Sequence, residues 1–114
     1  MENISLKYID IKEFKEEVYR HYVDIFPEVE RKSLALIKSS YERKYANIIK
    51  ILNKNEFVGF MILNSIAEKG YLIIDYLAIL PKYRNNNFGT KALKILIEEK
   101  KENKGIFIEI EKVG

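Results

Sequence analysis

One stretch constrains this chain more than any other: Asp75-Tyr-Leu-Ala-Ile-Leu-Pro-Lys-Tyr-Arg-Asn-Asn-Asn-Phe-Gly-Thr-Lys-Ala-Leu93. From Asp75 to Leu80 it is apolar and strand-like. Pro81 stops the strand, because proline has no N–H to give to a ladder. Arg84 to Asn87 is a polar run of turn formers. Phe88 to Glu99 then reads as a helix, with Phe88, Ala92, Leu93, Leu96 and Ile97 on one face. Asn87 and Gly89 stand at its start, where both residue types let backbone N–H groups approach a ligand. The first-turn N–H groups of a helix have no internal partner and lie at the positive end of its dipole. An anion site is therefore expected there, with Lys82, Arg84 and Lys91 beside it.

The rest of the chain divides into short elements. Ser5 to Ile9 is a strand candidate. Asp10 and Glu13 form a capping-box-like pair, and a helix runs from Ile11 to about Ile25. Its apolar face is Ile11, Phe14, Val18, Tyr22 and Ile25. Pro27 ends it. A second helix is expected just after Pro27, with Glu28 and Glu30 in its first turn and Leu34, Ile37 and Tyr41 on its apolar side. Ala46 to Leu52 and Phe57 to Leu63 form a hairpin around the turn Asn53-Lys-Asn55. Gly59 within it marks a bulge or a close backbone approach. Tyr71 to Ile79 is the next strand, after a turn near Ala67 to Gly70. Ile106 to Ile110 is the last, following a helix end at Lys100 to Gly105. The expected class is α/β (α+β): a mixed, mostly antiparallel sheet flanked by helices, in the order β-α-α-β-β-β-α-β.

With this order in place, Leu77-Ala78-Ile79, Pro81 and Tyr83-Arg84-Asn85-Asn86-Asn87-Phe88-Gly89-Thr90 resemble the acyl-CoA signature of the GNAT superfamily of N-acetyltransferases. That signature is Arg/Gln-x-x-Gly-x-Gly/Ala at a helix start behind a hydrophobic strand. Arg84 and Gly89 match it. Asn87 stands where the family usually has its first glycine, and asparagine is the residue after glycine that best tolerates a left-handed backbone. The resemblance implies one GNAT-like acyl-CoA-binding domain over residues 1–114. Family members ordinarily continue with a further helix, which commonly carries a tyrosine that protonates the departing thiolate, and two more strands. This chain is expected to be short of those elements.

The resemblance also implies acetyl-CoA as the acyl donor. The backbone of Leu77, Ala78 and Ile79 would pair with the pantetheine arm, and the loop Arg84, Asn85, Asn86, Asn87, Phe88, Gly89 and Thr90 would hold the pyrophosphate. The implied reaction is transfer of an acetyl group to the primary amine of a small molecule or peptide. With no cysteine to act as a covalent carrier, direct attack of the amine is expected. Asp75 is the candidate base, an acid in an otherwise apolar strand that alternation places on one face with Ile73 and Leu77 and opposite Tyr76. Either it performs that role or it lies near water or pairs with a lysine. Phe26 and Glu28, with Glu30, fall in the region that forms part of the family's acceptor wall; the plain alternative is a helix–helix joint with solvated carboxylates. Glu109 is a further amine-binding candidate, or with Glu111 keeps the last strand soluble.

Composition closes off other classes. The net charge of +3 comes from interspersed charges of both signs. Lys82, Arg84, Lys91, Lys94, Lys100, Lys101 and Lys104 gather in the second half, but Glu98, Glu99 and Glu102 dilute them, so no nucleic-acid partner is expected. No apolar run is long enough to span a bilayer, and no signal-like core opens the sequence, so a cytoplasmic location without a membrane partner is expected. The single histidine, His21, has no cysteine or second histidine for a metal site. The alternative to an active transferase is a shortened, inactive relative that binds CoA or forms a homodimer through its C-terminal strand.

Overall fold

A computed structural model describes residues 3–66 and 70–108. Five strands form one sheet in sequence order: β1 (Ile4–Ile9), β2 (Ala46–Asn53), β3 (Glu56–Ile66), β4 (Tyr71–Ile79) and β5 (Gly105–Ile108). The first three pairings are antiparallel, and β4 pairs with β5 in parallel. A parallel pair needs a long crossover, which helix α3 (Phe88–Glu99) supplies. The expected order of elements and fold class are both present.

Helix α1 follows β1 and has three parts: an α-helical Ile11–Glu13, a π-helical Phe14–Val18 and an α-helical Tyr19–Ile25. In its wide turn Tyr19 N–H donates to Phe14 O, five residues back. Phe14, Val18 and Tyr22, four residues apart, are all fully buried. Asp10 caps the start by accepting from Glu13 N–H at 2.8 Å. Glu13 does not complete the expected capping box, because its carboxylate goes to Lys7 at 3.1 Å and Lys50 at 2.7 Å. Helix α2 spans Leu34–Glu42. It begins later than the proline suggested, because Ser33 Oγ accepts from Leu36 N–H at 3.1 Å and sets the start there. Glu28–Glu30 is a separate 3-10 turn.

The β2–β3 connection is a two-residue turn in which Lys54 and Asn55 both have positive φ, 53° and 68°, the geometry that suits a tight hairpin. Two register shifts follow along β3. Ile51 faces Gly59 while Leu52 faces Phe57, so Val58 is an extra residue on β3. Ile62 faces Tyr76 while Leu63 faces Ile74, so Asp75 is an extra residue on β4. Gly59 fulfils both expectations made for it. A Cβ there would lie 2.8 Å from Ile79 Cδ1 and collide with Ala78 O.

Each face of the sheet carries its own core. Against α1 and α2 lie Ile48, Phe60, Ile62, Tyr76 and Ala78. Against α3 lie Ile49, Ile51, Met61, Leu63 and Ile74, with Ala92 and Leu96 of the helix. Ile97, expected on the inward face of α3, is 56% exposed. One charge is buried among the strands: the Lys50 side chain is 6% exposed and reaches both Glu13 and Glu17 at 2.7 Å. Burial alone would pull this ammonium down, but the two carboxylates outweigh it and hold it above its ordinary value. Its hydrogen bond in turn holds Glu13 below the ordinary 4.5, against a smaller opposing effect of burial.

Replacing Glu13 and Glu17 together by glutamine strands the Lys50 charge. Breaking a fully buried pair costs about 3–5 kcal/mol; with the two carboxylates 24% and 53% exposed, solvent screens part of this, and urea titration at pH 7 should show a loss of about 1–3 kcal/mol. The folded pKa of Glu13 is depressed, so its contribution is present above 4.5 and is lost as pH falls through the folded value. The gap between parent and double variant should therefore narrow in acid; a gap independent of pH would show that the pairing is not what stabilises. Gly59→Ala should lower stability by about 1–3 kcal/mol through overpacking, read in the same titration.

Candidate active site

The site is built on β4 and the turn that follows it. Beyond the bulge, Leu80 N–H donates to Val58 O at 2.8 Å, toward β3. The two-residue period of a strand puts the N–H and C=O of Ala78 on that same side. The main-chain groups of Leu77 and Ile79 therefore face the other way. Among the described residues β5 pairs only with Tyr71–Ile74, so on that side Leu77 and Ile79 meet no described strand. Their side chains pack toward α3, while Ala78 is buried under α1 and α2.

Pro81–Tyr83 then forms a 3-10 turn. Arg84 Nε donates to Ile79 O at 3.0 Å and ties the loop to the end of β4. The Asn86 side-chain amide donates to Tyr83 O at 3.0 Å and Arg84 O at 3.3 Å, bracing the turn from within. Asn85 and Asn87 both have positive φ, 70° and 60°. Asn87 thus adopts the left-handed conformation expected of it and stands at the cap of α3. The first helical bond runs from Lys91 N–H to Asn87 O, leaving the N–H groups of Phe88, Gly89 and Thr90 to the open end. Ile79, Tyr83, Arg84, Asn85, Asn87, Phe88, Gly89 and Thr90 line a depression of about 270 Å³. Gly89 lies over Ile79, and a Cβ on it would make only ordinary contact, at 3.6 Å. The loop geometry and the outward edge of β4 thus adjoin each other at Ile79.

At the other end of that edge is Asp75. The alternation expected for it is corrected by the bulge, which resets the faces between Ile74 and Tyr76. Ile74 belongs to the α3 core and Tyr76 to the α1–α2 core, although they are two residues apart. Asp75 consequently lies beside Tyr76 rather than opposite it, and faces away from Leu77. Its side chain is 12% exposed and receives Lys32 Nζ on Oδ2 at 2.7 Å. Asn64 Nδ2 donates to the same oxygen. Pairing with a lysine, one of the two alternatives for this acid, is therefore present. Lys32 and Asn64 were absent from the sequence reading. Lys32 is 43 residues from Asp75, and no local signal joins them.

Lys32 is held in place by its main chain. Tyr22 Oη donates to Lys32 O at 2.8 Å, and Lys32 N–H donates to Tyr76 Oη at 2.9 Å. Tyr76 Oη donates in turn to Glu30 O at 2.7 Å. Burial, and then the neighbouring Tyr76 hydroxyl, push the Tyr22 phenol upward. Phe26 is 2% exposed and packs edge-on against Tyr76 at 5.0 Å, so it supports this joint from beneath rather than lining an open wall. Glu28 is exposed on the 3-10 turn. Glu109 lies outside the described residues. His21 packs on the Phe57 ring at 5.7 Å, and burial, followed by Arg20, lowers its pKa. Among the described residues no three His, Cys, Asp or Glu side chains gather as a metal site, and no helix is long and apolar enough to cross a membrane.

Known proteins share this architecture. A ribosomal-protein-alanine N-acetyltransferase from Brucella melitensis biovar Abortus 2308 superposes with a TM-score of 0.70 at 10% identity, over 96% of this chain and 81% of its own. An aminoglycoside acetyltransferase from an uncultured soil metagenomic sample gives 0.66 at 18% identity, over 93% and 78%. A transcriptional regulator from Bacillus halodurans C-125 gives 0.67 at 15% identity, over 96% and 83%. At these identities the likeness is one of fold. No curated protein matches the sequence. The sequence model of the acetyltransferase (GNAT) family matches residues 15–113, and the chain belongs to that family.

Proposed function

We propose that this chain binds acetyl-CoA along the outward edge of β4 and transfers the acetyl group to a primary amine. The observation that carries the reading is the meeting, at Ile79, of that edge with the left-handed Asn87 loop that opens α3. An extended pantetheine arm has the amide groups to pair with Leu77 and Ile79 as a strand would. A pyrophosphate suits the N–H groups of Phe88, Gly89 and Thr90 and the basic Lys82 and Arg84 beside them. Family membership and the acceptors named for two structural relatives, a ribosomal-protein alanine and an aminoglycoside, agree with an amine acceptor.

The edge has a direction. The phosphate end lies at Ile79 and the reacting end at Asp75, four residues or about 13 Å away at a strand's rise. The described part of β5 occupies this edge from Tyr71 to Ile74, so an arm laid along Leu77 and Ile79 would reach it beside Asp75. There the amine nitrogen bonds to the thioester carbonyl carbon, the C–S bond breaks, and the CoA thiolate leaves. The amine's proton passes to Asp75, the carboxylate nearest to that end of the edge. Outward N–H groups of β4 polarise the carbonyl oxygen as charge develops on it.

Calorimetric titration with acetyl-CoA should show one site per chain. Gly89→Val should abolish that binding while the far-ultraviolet dichroism stays as in the parent, because the added side chain fills the approach to the helix start and meets only Ile79. Normal affinity in this variant would refute the phosphate-loop assignment. Asp75→Asn should lower transfer to a test amine at least tenfold with CoA affinity nearly intact; an unchanged rate would retire Asp75 as the proton acceptor.

A second reading, association of two copies through β5, draws on Phe107 and Ile108, each 52% exposed on the last described strand. Exposed apolar edges recruit partners. Sedimentation across a wide concentration range should then return a dimer mass, and a monomer throughout would discard it.

A further inference from the structure

The fold delivers an amine of its own to Asp75. Lys32 Nζ stands 2.7 Å from Asp75 Oδ2, on a side chain that is 40% exposed. The two phenol hydroxyls of Tyr22 and Tyr76 fix the backbone of this lysine. Its four-carbon stem is free to move its head by several ångströms while that anchor holds. The bulge turns Asp75 and Tyr76 toward the same lysine, next to Ile74, the last residue of β4 paired with the described part of β5. An ammonium that pairs with Asp75 at this distance also stands at the end of the edge where a thioester would lie.

We infer that Lys32 Nζ is an acetyl acceptor within the chain: a self-acetylation site. The inference rests on the placement of acetyl-CoA along β4 proposed above. Asp75 takes a proton from the Lys32 ammonium, and the free amine attacks the thioester carbonyl. A C–N bond forms, the C–S bond breaks, the attacking nitrogen gives up its second proton to the departing sulfur so that CoA leaves as the thiol, and Asp75 releases the first proton to solvent. The product is a neutral amide. It no longer holds Asp75 as an ion pair, so the carboxylate becomes accessible to the amine of an external acceptor. Self-acetylation would thus convert a closed site into an open one.

The test uses the full chain and separates the two layers of argument. Titration with CoA, which carries no acetyl group, measures cofactor binding alone. Incubation with acetyl-CoA, followed by proteolysis and mass spectrometry, locates any acetyl group. The expected result is CoA binding together with one dominant acetyl group at Lys32. Its rate should be independent of chain concentration and at least tenfold above the rates at exposed Lys38 and Lys54. Lys32→Arg, which keeps a cation on Asp75, should bind CoA and lose the mark. Asp75→Asn should reduce Lys32 acetylation to the level of Lys54. CoA binding with Lys32 acetylated no faster than Lys38 or Lys54 would overturn the inference and leave the cofactor reading intact. Absence of CoA binding would overturn the cofactor reading and this inference with it.

Discussion

One extra residue in β4 organises the molecule. Without the bulge at Asp75, every second side chain from Tyr71 to Ile79 would face one layer. With it, Ile74 fills the α3 core and Tyr76 and Ala78 fill the α1–α2 core. The same residue brings a carboxylate next to a phenol on one face, and it directly follows Ile74, the last residue of β4 paired with the described part of β5. Bulges bend a strand and strengthen its twist. Packing on two faces, the placement of the acid and the outward edge all depend on that single insertion.

The joint between α1 and α2 is fastened to the sheet by hydroxyl groups. Tyr22 comes from the helix and Tyr76 from the strand, and their rings meet edge-on at 4.9 Å. Buried phenols need hydrogen-bond partners, and here the partners are main-chain groups of Glu30 and Lys32. Arg31 adds a guanidinium bond to Val23 O at 2.9 Å and Phe26 O at 3.0 Å, satisfying carbonyls at the end of α1. The segment has little regular structure, yet its path is fixed at three consecutive residues, Glu30, Arg31 and Lys32. That is how a loop can present a lysine head to a carboxylate on a distant strand without wandering.

The elements themselves were readable from local patterns. Strand alternation, the Asn53-Lys-Asn55 turn and the Asp10 cap all depend on residues within a few positions of each other. Asn87 stands where the resembled signature has a glycine, asparagine tolerates the left-handed backbone such a place calls for, and its φ is 60°. The misplaced features have nonlocal causes. The side of Asp75 relative to Tyr76 and Leu77 was misjudged because a bulge belongs to the register between two strands, and nothing in β4 alone announces one. The late start of α2 was missed because Pro27 drew attention from Ser33, whose side chain makes the actual cap. Ile97 was placed inward by counting apolar residues, although Ala92 and Leu96 already complete the buried turn. Lys32 and Asn64 come to Asp75 through the tertiary fold, and only the assembled sheet reveals them.

The edge of β4 is made of main-chain atoms, and this has an evolutionary reading. A carbonyl or amide group persists under almost any side chain that keeps the strand extended. Apolar replacements at Leu77 and Ile79 therefore leave the row of donors and acceptors where it was. Structural relatives at 10% to 18% identity that retain the architecture fit such a rule. In the placement proposed above, side chains rather than main chain would decide which acceptor fits. Two chains with the same edge can then differ wholly in what they modify, and percentage identity measures the divergence of one half of the site while remaining blind to the constancy of the other.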